Sequence, residues 1–190
     1  MNSNVHYLLW FVALFTSLIL SAVALDGLLH YLNMAWVGRY LGIIGTVTLL
    51  ISFLYSARKR KLVSRGNMPS WLRSHEYLAW CGTMMILVHG GIHFNAWLPW
   101  YALIAMVIAA ASGLIGKLLM RRSQDLLTEK TKDLRQIGLS DTEIRERIYW
   151  DALTFSLMRR WRSVHIPVTL MFAILSIYHI IAILIFWSWR

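Results

Sequence analysis

Polar and apolar positions along this chain fall into long blocks rather than into the alternation of a strand or the stripe of a surface helix. Uncharged runs extend from Met1 to Leu25, from Tyr40 to Ala57, from Tyr77 to Gly116 and from Ser163 to Trp189, with charged segments between them. Crossing a bilayer takes roughly 20 mostly apolar residues. The run from Tyr77 to Gly116 is forty residues long, about twice that length. Asn95-Ala96-Trp97-Leu98-Pro99-Trp100 in its middle supplies a proline-containing turn, so it reads as two helices joined by a short hairpin. The pattern predicts an all-α integral membrane bundle of five transmembrane helices in a single membrane domain, with spans at about 5–26, 40–57, 73–96, 99–120 and 163–188.

Between the fourth and fifth spans lies the one sizeable polar stretch, residues 121–162, which holds seven of the nine acids and ten basic residues. Mixed charge with periodic apolar positions predicts helices there. Ser140-Asp141-Thr142-Glu143 has the form of a capping box, so a helix begins at Asp141 and runs to about Arg162, after Gly138 has ended an earlier one. The expectation is a cytoplasmic helical hairpin between helices 4 and 5. It carries no metal-ligand cluster, no nucleophile with a base and no phosphate-binding loop, and it reads as a connector on the membrane surface in preference to a docking site for a partner.

Composition supports the membrane reading. Of 190 residues, 58% are hydrophobic and 15% charged, and the mean hydropathy is +0.55, beyond what a soluble domain of this size keeps in solution. The net charge of +10 would suit nucleic acid, but the basic residues line the membrane instead of forming one solvated face, so no nucleic-acid partner is expected. Arg58, Lys59, Arg60, Lys61, Arg65 and Arg73 crowd the loop after the second span with no acid among them. By the positive-inside rule that loop is cytoplasmic, the N-terminus is cytoplasmic and the C-terminus outside, as in a multi-pass protein of a bacterial cytoplasmic (inner) membrane. Ser21-Ala22-Val23-Ala24-Leu25 resembles the end of a cleavable leader, but the segment lacks a Lys/Arg n-region and reads as the first span. Trp36, Trp97, Trp100, Trp187 and Trp189 gather at the outer boundary and Trp71 and Trp161 at the inner one, an aromatic belt facing lipid.

Cys81 is the single cysteine and lies within a span. That excludes an internal disulfide, a Cys-ligated iron–sulfur cluster and a Cys-x-x-Cys-His haem attachment within this chain. The candidate chemistry lies with histidine, because metal-binding side chains inside a span are costly and functional by default. His75 and His89 are fourteen residues apart in the third span, and His165 and His179 are fourteen apart in the fifth. Fourteen steps of about 100° leave the second ring roughly 40° from the first and about 21 Å further along the axis. Spans three and five run in the same direction, which places His75 level with His165 near the cytoplasm and His89 level with His179 near the outside. Each facing pair of imidazoles could ligate one haem iron axially. The ordinary explanation, polar residues satisfied inside a helix bundle, accounts less well for matched spacing and direction in two separate spans.

Other residues add less. Gly82 stands midway between His75 and His89, where the missing side chain admits either a porphyrin edge or a neighbouring helix; Gly90 and Gly91 read the same way. Arg73 and Arg162, with Arg159 and Arg160, lie at the cytoplasmic level and suit haem propionates, or merely the positive-inside rule. His93 competes with His89 as outer ligand but would break the equal spacing. His6 and His30 read as interfacial.

The run from His75 through Gly82 to His89, together with Trp161-Arg162-Ser163-Val164-His165-Ile166-Pro167 through His179, resembles the di-haem cores of the ferric-reductase-like transmembrane proteins, which include the NADPH oxidases, and of the respiratory cytochromes b. The resemblance implies two haems b, one near each membrane face. It covers about the third to fifth spans, roughly 120 residues. No dinucleotide-binding Gly-rich loop is present in the sequence, and the five-helix cytochrome b subunits of membrane-anchored nitrate reductases and hydrogenases are similar in size and number of spans. The expected function is electron transfer across the bilayer between the quinone pool and a partner redox subunit carrying iron–sulfur or c-type haem centres. Two alternatives stand beside it: a self-contained quinone-linked oxidoreductase acting on superoxide or ferric iron, and a non-redox transporter or scaffold surrounded by membrane lipid.

Overall fold

The computed structural model describes residues 3–64, 66–92, 97–148 and 161–186. In chain order the elements are α1 (Ser3–Tyr31), α2 (Ala35–Ser52), α3 (Leu54–Lys59), α4 (Met68–Ile92), α5 (Trp97–Gln136), α6 (141–148) and α7 (Arg162–Phe186), and no strand occurs among the described residues. Four stretches are long and apolar enough to cross a membrane: Val5–Tyr31, Ala35–Lys59, Trp97–Gln136 and Ser163–Phe186. Large apolar side chains such as Leu20, Val23, Leu170 and Leu184 are exposed on them, as lipid-facing residues are.

The expected third span forms as the 25-residue helix α4, but Arg73, His75, Glu76 and His89 lower its hydropathy, and it does not stand among the four apolar candidates. It nevertheless occupies the middle of the bundle, approached by α1, α2, α3 and α5. α7 approaches only α5 among the described elements, and no Cα of α7 comes within 8 Å of one in α4.

Turn chemistry sets most of the boundaries. Asn33, in the left-handed conformation (φ 55), closes α1, with its N–H donating to the His30 carbonyl at 3.0 Å. α2 and α3 form one membrane-length stretch, interrupted at Phe53. α5 differs from expectation. It runs unbroken for 40 residues, about 60 Å, so the expected fourth span and the first helix of the connector are one rod. No proline interrupts it after Pro99 in its first turn, and Gly113 and Gly116 are tolerated where a neighbouring side chain packs on them. Beyond it Gly138 adopts φ 83 and Leu139 N–H returns to the Leu134 carbonyl at 3.3 Å. The capping box follows as read from the sequence: Ser140 N–H and Oγ both donate to Glu143 Oε2, at 2.9 and 2.7 Å. The rest of the expected second connector helix, 149–160, lies outside the described residues, as do the 93–96 turn and the last four residues.

Helices α2 and α4 run antiparallel in close register. Gly38, Gly45 and Ser52 of α2 stand against His89, Gly82 and His75 of α4, each set spaced seven residues apart. A seven-residue seam is the repeat of left-handed, coiled-coil-like packing. Glycine at the middle rung lets the backbones meet: a Cβ on Gly82 would lie 3.1 Å from the Gly45 carbonyl oxygen and 2.8 Å from the Leu49 side chain. Of the two uses expected of Gly82, close helix packing is the one found.

Two outcomes follow from this fold. Gly82→Leu forces α4 off α2 and should destabilise the protein by about 1–3 kcal/mol, read as a lowered thermal midpoint in detergent; an unchanged midpoint contradicts the seam. The two hydrogen bonds from Ser140 hold the Glu143 carboxyl below its ordinary pKa. A depressed carboxyl pKa stabilises the folded end of α6 above the unfolded pKa, and this stabilisation is lost as pH falls through the folded one. In Ser140→Ala the Glu143 carboxyl should titrate at higher pH by NMR of selectively labelled protein, and an unmoved titration contradicts the cap.

Candidate functional site

Each described histidine of the α2–α4 seam is anchored through Nδ1. His75 Nδ1 lies 3.0 Å from the Ser52 carbonyl oxygen and 2.7 Å from Ser52 Oγ. His89 Nδ1 lies 3.0 Å from the Gly38 carbonyl oxygen. A carbonyl only accepts, so Nδ1 carries the proton in both rings. On α7, His165 Nδ1 is 2.8 Å from Ser112 Oγ of α5, and that hydroxyl donates to the Ala109 carbonyl at 2.9 Å. The Ser112 proton is thereby committed, and the hydroxyl oxygen accepts from His165 Nδ1–H. In a neutral ring with Nδ1 protonated, Nε2 keeps its lone pair and points away from the anchoring group. This is the tautomer of a metal-ligating imidazole backed by an outer hydrogen bond.

The surroundings of His75 and His165 are aromatic and small. The Tyr55 ring stacks on His75 at 5.2 Å between centroids and 24° between planes, and the Trp161 ring lies 5.0 Å from that of His165. Gly113 and Gly116 of α5 make room for these rings. A Cβ at Gly116 would sit 2.5 Å from Trp161 Cε2, and one at Gly113 would sit 3.4 Å from His165 Cε1. Trp161 Nε1–H is buried without an acceptor, a donor that a carboxylate brought by a bound group would satisfy.

The sequence reading missed the partners of these histidines and one ion pair. Lys117 of α5 reaches Glu76 of α4 at 2.5 Å, with the two side chains 31% and 28% exposed. The missed partners carried a signal: Gly38 and Ser52 are separated by fourteen residues, as His89 and His75 are, and so are Leu103 and Lys117, which meet Gly90 and Glu76. Three helices share the period because they pack on one another along it.

At the other end of α4 His89 fits over Gly42, where a Cβ would lie 2.7 Å from the ring. The space beside Gly91 is taken by the Asp26 carboxylate, 3.3 Å from where a Cβ would be. His179 is half-buried on α7. Arg73 is exposed, Arg162 opens α7, and His93, Arg159 and Arg160 lie outside the described residues. His6 accepts from Trp10 Nε1 at 2.9 Å and His30 Nδ1 donates to the Asp26 carbonyl at 2.9 Å, so both are satisfied within α1.

Direction can be read through α5. Glu76 and Gly90 of α4 meet Lys117 and Leu103 of α5, and Ser112 and Gly116 of α5 meet His165 and Trp161 of α7. α5 therefore runs antiparallel to α4 and to α7, so α4 and α7 are parallel as expected.

Among the described residues no three His, Cys, Asp or Glu side chains gather to hold a metal ion. A group that brings its own equatorial donors and asks the protein for two imidazoles fits this donor set, as haem does. The structure thus defines the class broadly, an all-helical protein with the apolar helices of a multi-pass membrane protein and anchored histidines on its α4 and α7 helices. No protein-family model matches the chain, and no curated protein or solved structure matches it.

The Glu76–Lys117 pair is a testable element of this site. Glu76→Gln leaves an ammonium without its counter-charge among apolar helices and should cost about 3 kcal/mol. Adding Lys117→Met should recover most of that loss, read by thermal unfolding of the single and double variants. A double variant no more stable than Glu76→Gln alone argues that the two charges are independent.

Proposed function

We propose that this chain is a di-haem b-type membrane cytochrome that carries electrons across the bilayer. The observation that carries the reading is the common tautomer of His75 and His165, each with Nδ1–H committed to a neighbouring helix and Nε2 left as the ligating atom. His75 and His165 would hold the haem near the cytoplasmic face, and His89 and His179 the one near the outer face. Bound between two imidazoles, haem iron supplies a one-electron couple with no open coordination position, suited to electron transfer rather than oxygen binding.

The chain's own residues do the rest. Ser52, Ser112 and the Gly38 carbonyl orient the ligating rings, Gly42 and Gly113 make room for them, and Trp161 Nε1–H offers a donor to a propionate carboxylate. On this reading α4 is the fifth membrane-spanning helix: it is encircled by α1, α2, α3 and α5, and its His75, Glu76 and His89 side chains turn toward those neighbours instead of toward lipid. The N-terminus and the α5 extension then share the cytoplasmic side, in keeping with the Tyr7–Asp125 hydrogen bond at 2.8 Å. Electrons would pass between membrane quinone and a partner redox subunit in a bacterial inner membrane.

The purified protein should contain two haems b by pyridine haemochrome assay and show a low-spin reduced-minus-oxidised spectrum. His75→Ala or His165→Ala should each leave one haem, the outer, and His89→Ala or His179→Ala should each leave the inner. Protein without haem, or loss of the outer haem with His93→Ala but not with His89→Ala, overturns the reading or its choice of outer ligand respectively.

A further inference from the structure

The segment that turns from α3 into α4 carries charge that the rest of the chain does not neutralise. Arg58, Lys59, Arg60 and Lys61 are consecutive, Arg73 follows near the start of α4, and no acid occurs between Asp26 and Glu76. Glu76, the nearest acid in sequence, is taken by Lys117. Among the described residues no carboxylate pairs with Arg58, Arg60, Lys61 or Arg73. The cluster ends the apolar stretch Ala35–Lys59, so it stands where a spanning helix leaves hydrocarbon for the headgroups. The Lys59 ammonium lies 5.9 Å over the Tyr55 ring, an aromatic and a cation in the order that a membrane boundary sets.

The segment is also shaped. Arg58 Nη2 donates to the Gly66 carbonyl at 3.1 Å, which draws the chain beyond α3 back toward the end of that helix. Gly66 has φ 88 and lies against Trp71, whose Nε1 would be 2.6 Å from a Cβ at that position. Arg58 Nε–H is buried and has no acceptor. A guanidinium with one nitrogen tied to the chain and another donor unsatisfied suits the oxygens of a phosphate, which accept in the fork geometry of arginine. We infer that Arg58, Arg60 and Lys61 form a headgroup site for an anionic phospholipid at this end of the bundle. Arg58 grips the phosphate, and the exposed Arg60 and Lys61 supply a field that favours a headgroup without a cation of its own. Leu50 and Leu54 precede Arg58 by eight and four residues, the spacing of one helix face. Both are exposed and give acyl chains an apolar surface that free phosphate cannot use. The site is independent of the histidines and of the haem reading.

The test titrates purified full-length protein, delipidated in detergent, with phosphatidylglycerol, phosphatidylcholine and glycerol phosphate, and counts bound molecules by native mass spectrometry. The unsubstituted chain is compared with Arg58→Gln, Arg58→Lys, the double variant Arg60→Gln with Lys61→Gln, and Lys132→Gln as a control on the polar end of α5. Each basic residue near an anionic headgroup contributes about fivefold in affinity, so the double variant should bind phosphatidylglycerol about 25-fold more weakly. Arg58→Gln should lose about fivefold or more, and Arg58→Lys, which keeps the charge without the fork, should stay below the unsubstituted chain. Arg60 and Lys61 are exposed, so the double variant keeps its fold and tests the site where an Arg58 variant does not. Equal affinity for phosphatidylglycerol and phosphatidylcholine, glycerol phosphate bound as tightly as the lipid, or a Lys132→Gln loss equal to that of the double variant overturns the lipid site. Arg58→Lys binding as the unsubstituted chain does overturns the part given to the guanidinium. None of these outcomes depends on haem content, so failure here leaves the electron-transfer reading as it stands.

Discussion

A helix in hydrocarbon can satisfy its own backbone but not its side chains, and α4 carries more polar side chains than lipid would tolerate. His75, Glu76 and His89 lie along a helix that crosses the middle of the bundle, and they find their partners on two of the surrounding helices: Ser52 and Gly38 on α2, Lys117 on α5. The arrangement of the other helices follows from this requirement. α2 must come close enough for its main chain to accept from an imidazole, and only glycines at Gly45 and Gly82 permit that approach. α5 must lie antiparallel on the other side for Lys117 to meet Glu76 while Gly90 receives Leu103. Apolar burial contributes comparatively little specificity here, since the helices exchange lipid contacts for contacts with one another; polar rungs and small residues fix the register.

Much of this was legible in the sequence, and the boundary of what was legible is physical. The fourteen-residue spacing of the histidines could be converted to a common helix face because helix geometry is local. The capping box at Ser140 and Glu143 was readable for the same reason. The continuation of α5 through Arg121 and Arg122 was not, since a change from apolar to charged composition marks where a bilayer would end and says nothing about where a helix stops. The partners of the histidines escaped because a main-chain carbonyl such as that of Gly38 has no sequence signature, and a serine among apolar residues looks the same whether it bonds to its own helix or to a neighbour. The repeat of the fourteen-residue interval in α2, from Gly38 to Ser52, and in α5, from Leu103 to Lys117, is what ties the helices together in the sequence.

Relative depth was the least legible quantity. Flanking arginines place a helix end at the interface only loosely, because long basic side chains reach water from a range of depths. Arg73 before His75 and Arg162 before His165 therefore suggest equal entry without fixing it. The helices concerned are held unequally. Among the described residues four elements surround α4, and α7 packs on α5.

This inequality bears on how a flat group between α4 and α7 would be held. The separation of their backbones, beyond 8 Å at every described pair, leaves the side chains of both helices and whatever lies between them to join the two halves of the bundle, α1–α4 on one side and α7 on the other, with α5 common to both. His165 is anchored to α5 through Ser112, and His75 to α2 through Ser52, so neither ring can follow the other without moving its helix. A planar ligand that takes one donor from each side therefore acts on the helices and not on loose side chains.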